Sequence, residues 1–168
     1  MAVDDLGPAE KFAAGAIGLP GQRRFYLEVV AAGRRHSLLA EKDQIAVLAS
    51  QGLAILDRAG ISSDEAAVEQ IIAAGLEVED PGVDGERFRV GEISIALAPS
   101  ELLTVGIASA DEEHEDAVSF VIAPEQFRAM ARVALEVVAA GRPTCPWCRL
   151  PMDPAGHECP ARNGHRSH

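Results

Sequence analysis

A formal charge of −11 over 168 residues offers no general basic surface for phosphate contacts, which argues against general nucleic-acid binding. The length suits one ordinary domain, or one domain with a small appendage, and 48% hydrophobic against 24% charged residues is globular rather than disordered composition. With one Trp, one Tyr and five Phe, the core has to be built largely from Ala, Val, Leu and Ile.

Residues 1–7 carry two Asp and no apolar run follows, so no signal peptide is read there and a cytoplasmic protein is expected. Residues 12–17 predict a strand, and Gly18-Leu19-Pro20-Gly21 has turn chemistry. A β-rich run follows at 24–30, then a polar turn at 31–35 and a short apolar strand at 37–40. A helix opens at Asp43-Gln44 and stops at Gly60, with Ile45, Leu48, Ala49, Leu53, Ile55 and Leu56 at helical spacing. Ser62-Ser63-Asp64-Glu65 predicts the N-cap of a short helix reaching Ala74, and residues 77–86 read as a surface loop.

The chain then repeats its order. Phe88-Arg89-Val90-Gly91 matches Phe12-Ala13-Ala14-Gly15, and the alternation changes phase across Gly91-Glu92, which predicts a β-bulge. Strands are predicted at 102–108 and 118–122 around an acidic turn at 111–116, read as solvated rather than cation-binding. A second helix starts at Pro124 with Glu125-Gln126, carries Phe127, Met130, Ala131, Ala134, Leu135 and Val138 at helical spacing, and stops at Gly141. The apolar stretch 129–140 is broken by Arg132 and Glu136 and is too short to span a bilayer.

The expected fold is α+β: an antiparallel sheet from two tandem βββα pseudo-repeats, with two helices covering one face and a small C-terminal zinc-knuckle tail. The boundaries are 8–60 for the first repeat, 61–86 for a linker with a short helix, 87–141 for the second repeat and 142–168 for the tail. Convergent patterning is the alternative to duplication. Six strands could form an open sheet or a closed barrel, and an uncovered sheet face would favour a homodimer.

The tail carries the chemistry. Its three cysteines lie within fifteen residues, and an odd count in a reducing compartment reads as metal ligation rather than a disulfide framework. Cys145-Pro146-Trp147-Cys148 is a knuckle that brings two thiolates to one ion, and the loop 149–156 can fold back to deliver His157 and Cys159. Cys145, Cys148, His157 and Cys159 make the closed tetrahedral set of a structural Zn²⁺, with no position left for water. His165 is the alternative to His157, and Trp147 is expected to pack as an anchor of the knuckle. A redox Cys-x-x-Cys would normally open a helix, which Pro146, Pro151 and Pro154 oppose. The residues from 141 onward hold four Arg against Asp153 and Glu158, so the tail is +2 and the body −13.

The opening Phe12-x-x-Gly15-x-x-Gly18-x-Pro20-Gly21-Gln22-Arg23 and the ending Cys-Pro-x-Cys…Gly-His-x-Cys-Pro…Asn-Gly-His resemble an uncharacterised actinobacterial family, domain of unknown function 3090. The similarity runs over essentially the whole chain. It implies an actinobacterial, cytoplasmic protein whose genes lie near those of a histidine-phosphatase-like and a lipid-kinase-like protein, and it supplies no activity.

The leading expectation is a non-catalytic zinc-binding protein that presents its tail to a protein partner, one candidate being a phosphate-handling enzyme. The alternative is a small enzyme, or a binder of a phosphorylated or nucleotide-like ligand, at the junction of the pseudo-repeats, using Arg23 or Arg24 and His36. A third reading keeps nucleic-acid contact for the tail alone. The glycines at 15, 18 and 21 lack the Gly-Lys-Ser/Thr of a P-loop and read as hairpin glycines. No nucleophile elbow or dinucleotide fingerprint occurs.

Overall fold

The computed structural model describes residues 2–19, 21–140, 145–149, 152, 159 and 160. Among these, seven strands and three α-helices follow in the order β1 (Ala2–Pro8), β2 (Lys11–Ile17), β3 (Arg24–Ala31), β4 (Arg34–Ala40), α1 (Lys42–Arg58), α2 (Glu65–Ala74), β5 (Glu86–Leu97), β6 (Leu103–Ser109), β7 (Asp116–Ile122) and α3 (Pro124–Ala139). The α+β class, the six expected strands and the short linker helix are all present. The stop expected at Gly141 lies outside the described residues.

The sheet is mixed, which corrects the expectation of an antiparallel one. Its order is β1-β7-β6-β5-β4-β3-β2. The pairs β2–β3, β3–β4, β5–β6 and β6–β7 are antiparallel, whereas β4–β5 and β1–β7 are parallel. Parallel neighbours need a long crossover, and α1, α2 and the linker supply it between β4 and β5. The strand β1 has no counterpart among the expected elements. Asp4, Asp5, Gly7 and Pro8 are poor strand formers, and most of β1 is exposed; its pairing comes from the backbone of β7.

The two outer strands of that order are consecutive in the chain. Only Ala9 and Glu10 separate β1 from β2, and their N–H groups donate to Val121 and Val30, on β7 and β3, at 2.9 and 2.7 Å. The strand order therefore closes on itself through one bent segment. The strand β5 bends in the same way: its first part pairs with β4 and its second with β6, with the register shifting between Val90 and Ile93 as the phase change predicted.

One core cluster joins the inner face of the strands (Phe12, Leu27, Leu38, Val105, Phe120) to Ile45, Leu48 and Leu56 of α1 and Phe127, Met130 and Ala134 of α3. The end of α1 lies beside the start of α3, where Asp57 pairs with Arg128 at 3.2 Å. The two helices approach closely at Gly52, where an added Cβ would lie 2.0 Å from the Phe127 ring. Each helix is tied to the sheet by a glutamine at its third position. Gln44 accepts the Glu41 N–H at 2.8 Å and donates to the Val90 carbonyl at 3.0 Å. Gln126 accepts the Ala123 N–H at 2.8 Å and donates to the Ala9 carbonyl at 2.9 Å.

A second, smaller cluster packs α2 and the linker against α3 and the outer face of β2, through Ala13, Val68, Leu76 and Ala129. The segment read as a loop is fastened at its start. The wholly buried Glu28 carboxylate accepts from Lys11 Nζ at 2.7 Å and from the Glu79 N–H at 2.8 Å, while Lys11 also donates to the Glu77 carbonyl. Val78 fills the space above Gly15, where a Cβ would meet it at 2.7 Å.

Candidate metal centre

Three sulfurs converge beyond α3. Cys145, Cys148 and Cys159 each offer a thiol, and the three Sγ atoms lie within 4.8 Å of one another. The Sγ atoms of Cys145 and Cys159 are 3.7 Å apart. That is far beyond the ~2.05 Å of a disulfide, and no disulfide joins the three cysteines. A tetrahedron with Zn–S bonds of ~2.3 Å has an edge of ~3.8 Å, so the separation is what two thiolates on one ion adopt.

The local chain explains the convergence. Pro146 to Cys148 form a turn closed by the Arg149 N–H donating to the Cys145 carbonyl at 2.8 Å. Arg149 itself sits at φ 61°, a left-handed backbone that reverses the chain. The turn points the Cys148 and Trp147 N–H groups at the Cys145 sulfur. The Cys148 N–H is the foremost cause that lowers the Cys145 pKa to about 6, helped by Trp147 and the neighbouring thiols against the opposing effect of desolvation. Cys145 and Cys159 are buried and Cys148 is half-buried. The set thus offers a soft cation three ligands among the described residues. His157 and His165, the two histidines read for the fourth place, lie outside the described residues. Trp147, expected to anchor the knuckle, is 66% exposed instead.

The other residues singled out in the sequence do not meet. Arg24 bonds Tyr26 and Glu86 on the outer face of β3. His36 stands opposite Val29, whose side chain is in the core, so it belongs to the inner face. Arg23 lies half-buried just before β3. In the acidic turn, Asp111 accepts from the Glu113 N–H at 2.9 Å and pairs with His114 at 3.1 Å, so its carboxylate is engaged within the turn.

One polar constellation had no signal in the sequence. Arg87, on the inner face at the start of β5, makes two bonds to Asp116 on β7 and one to Asp4 on β1, at 2.9 to 3.0 Å, and lies 3.1 Å from His36 Nδ1 on β4. Burial, and then the Arg87 charge, lower the His36 pKa from 6.5, while the Arg87 hydrogen bonds hold the Asp116 carboxyl below the usual range. Four strands far apart in sequence supply these groups, and only the closed strand order brings them together.

Residues 5–159 match the model of a family described as "Protein of unknown function (DUF3090)". The chain belongs to that family. No curated protein and no solved structure matches it. The family match begins within β1 and ends at Cys159, so nearly all of the body and the three thiols fall inside it. Among the described residues no helix is long and apolar enough to cross a membrane.

Proposed function

We propose that this member of the family is a non-catalytic zinc-binding protein whose tail, ordered by one structural Zn²⁺, is presented to a protein partner. The convergence of three cysteine sulfurs within 4.8 Å carries the reading. Soft thiolates select zinc over the hard cations that carboxylates hold, and the fourth ligand is assigned to His157. A closed set of four protein ligands orders a segment rather than activating water. At the binding free energies of about 10–16 kcal/mol found for small structural zinc sites, metal alone would order a stretch with almost no core.

In the same reading the body is a duplicated βββα unit, β2-β3-β4-α1 and β5-β6-β7-α3. Support comes from the two glutamines, which occupy the same helical position and grasp carbonyls at the bends of the first strand of the other unit. The test is elemental analysis of protein purified without added metal, joined to partner capture with wild type and Cys148→Ser. One zinc per chain, with a partner (a phosphate-handling enzyme is the first to look for) captured by wild type only, is the expected result. Absence of stoichiometric zinc removes the proposal.

A further inference from the structure

All the cysteines of the chain, three in number, stand in the metal centre. They are not equally reachable. Cys145 and Cys159 are buried, whereas Cys148 is half-buried and in contact with solvent. The three sulfurs lie within 4.8 Å of one another, so an oxidised Cys148 has a second thiol at hand to displace the new oxygen. Cys145 and Cys148 also share one turn, closed by the Arg149 N–H on the Cys145 carbonyl, and a bond between their sulfurs asks nothing of the sheet or the helices. Three thiolates around one divalent cation leave the centre with net negative charge, which keeps its sulfurs nucleophilic.

We propose that the centre is a redox switch: an uncharged hydroperoxide oxidises Cys148, and the Cys145–Cys148 disulfide that follows releases the ion. The proposal rests on the zinc reading above and adds how the ordered state of the tail is ended. In the first step the Cys148 sulfur attacks one peroxide oxygen. An S–O bond forms, the O–O bond breaks, and the departing oxygen takes a proton from water and leaves as water or an alcohol, with Cys148 now a sulfenic acid. In the second step the Cys145 thiolate attacks the Cys148 sulfur. The S–S bond forms, and the hydroxyl leaves as hydroxide and is protonated by solvent. The two sulfurs together give up two electrons and the peroxide accepts both. Cys159 and one histidine then remain of the four ligands, too few for a closed zinc site. A formal charge of −11 on the chain opposes anionic oxidants and leaves the uncharged peroxide as the reagent. The response stays in the tail, because no residue beyond Val138 belongs to the main core among the described residues.

Wild type carries the test, since every cysteine variant weakens the metal site itself. Full-length protein with measured zinc content is treated with hydrogen peroxide beside a chromogenic zinc indicator, and the remaining thiols are alkylated and mapped by mass spectrometry. Arg149 lies between Cys148 and Cys159 in the chain, so tryptic cleavage there separates a Cys145–Cys148 disulfide from an alkylated Cys159. The expected result is one ion released for each Cys145–Cys148 disulfide formed, at unchanged far-UV circular dichroism, with one zinc per chain regained on adding dithiothreitol and zinc. Zinc retained with all three thiols still open to alkylation overturns the switch and leaves the zinc reading standing. Release accompanied only by sulfinic or sulfonic acids, which dithiothreitol does not reverse, overturns it in the same way. A Cys145–Cys159 disulfide with Cys148 reduced overturns the role given to Cys148, and loss of the far-UV signal overturns the confinement to the tail. Chains purified without zinc overturn both readings.

Discussion

At the scale of single residues, the sulfurs and the inner-face histidine make separate predictions. Cys148→Ser removes one of three converging thiolates, and zinc content measured by elemental analysis after gel filtration should fall well below one per chain. His36 answers to pH. Its folded pKa lies below 6.5 because burial and Arg87 oppose its charge, so below 6.5 the unfolded chain binds the extra proton first. The stability it contributes is therefore complete above 6.5 and is lost as pH falls toward the folded value. Asp4, Asp116, Arg34 and Arg87 are the charges that act on it, and the lowered Asp116 titrates only below 3.8. Urea unfolding between pH 7 and 5 should show wild type losing stability and His36→Gln staying nearly flat; parallel curves would mean that His36 takes no part. The thiols were legible from spacing alone, since a knuckle and its ligands are local. The Arg87 constellation was not, because residues 4, 36, 87 and 116 share no local pattern.

At the scale of elements, packing makes the predictions. An alanine at Gly52 adds a methyl where the Phe127 ring already stands. Overpacking of this kind costs about 1–3 kcal/mol, more than the helix propensity gained. Gly52→Ala should lower the urea midpoint, and Phe127→Leu in the same chain should recover part of the loss, as coupled neighbours do. Glu28→Ala leaves the linker without its buried acceptor. The loss should be about 3 kcal/mol, in the range for breaking a buried ion pair, and amide exchange at Glu79 should accelerate more than in the helices. The helices were readable because apolar residues recur at their period. The linker is the exposed loop that its acids and glycines suggest, but its fastening by Lys11, Arg35 and Glu28, from strands distant in sequence, was not legible.

For the whole molecule, the body and the tail are separable in energy. No residue beyond Val138 belongs to the main core among the described residues, so a chain ending at Ala140 should keep its far-UV circular dichroism and a single cooperative transition. Loss of both would place part of the core in the tail. The strand order closes at the bend between β1 and β2, and removal of residues 2–8 opens it, frees the backbone of β7 and takes Asp4 from Arg87. That deletion should cost several degrees of Tm, whereas a chain unchanged by it would make β1 an ornament.

The sequence by itself determined the α+β class, six of the seven strands, both long helices and the thiol set, because periodicity, caps and knuckle spacing are properties of neighbouring residues. Which strands neighbour one another was decided only in three dimensions. Parallel pairing of β4 with β5 and of β1 with β7, and the closure that follows, depend on backbone hydrogen bonds between segments remote in the chain, and those leave no mark on local composition.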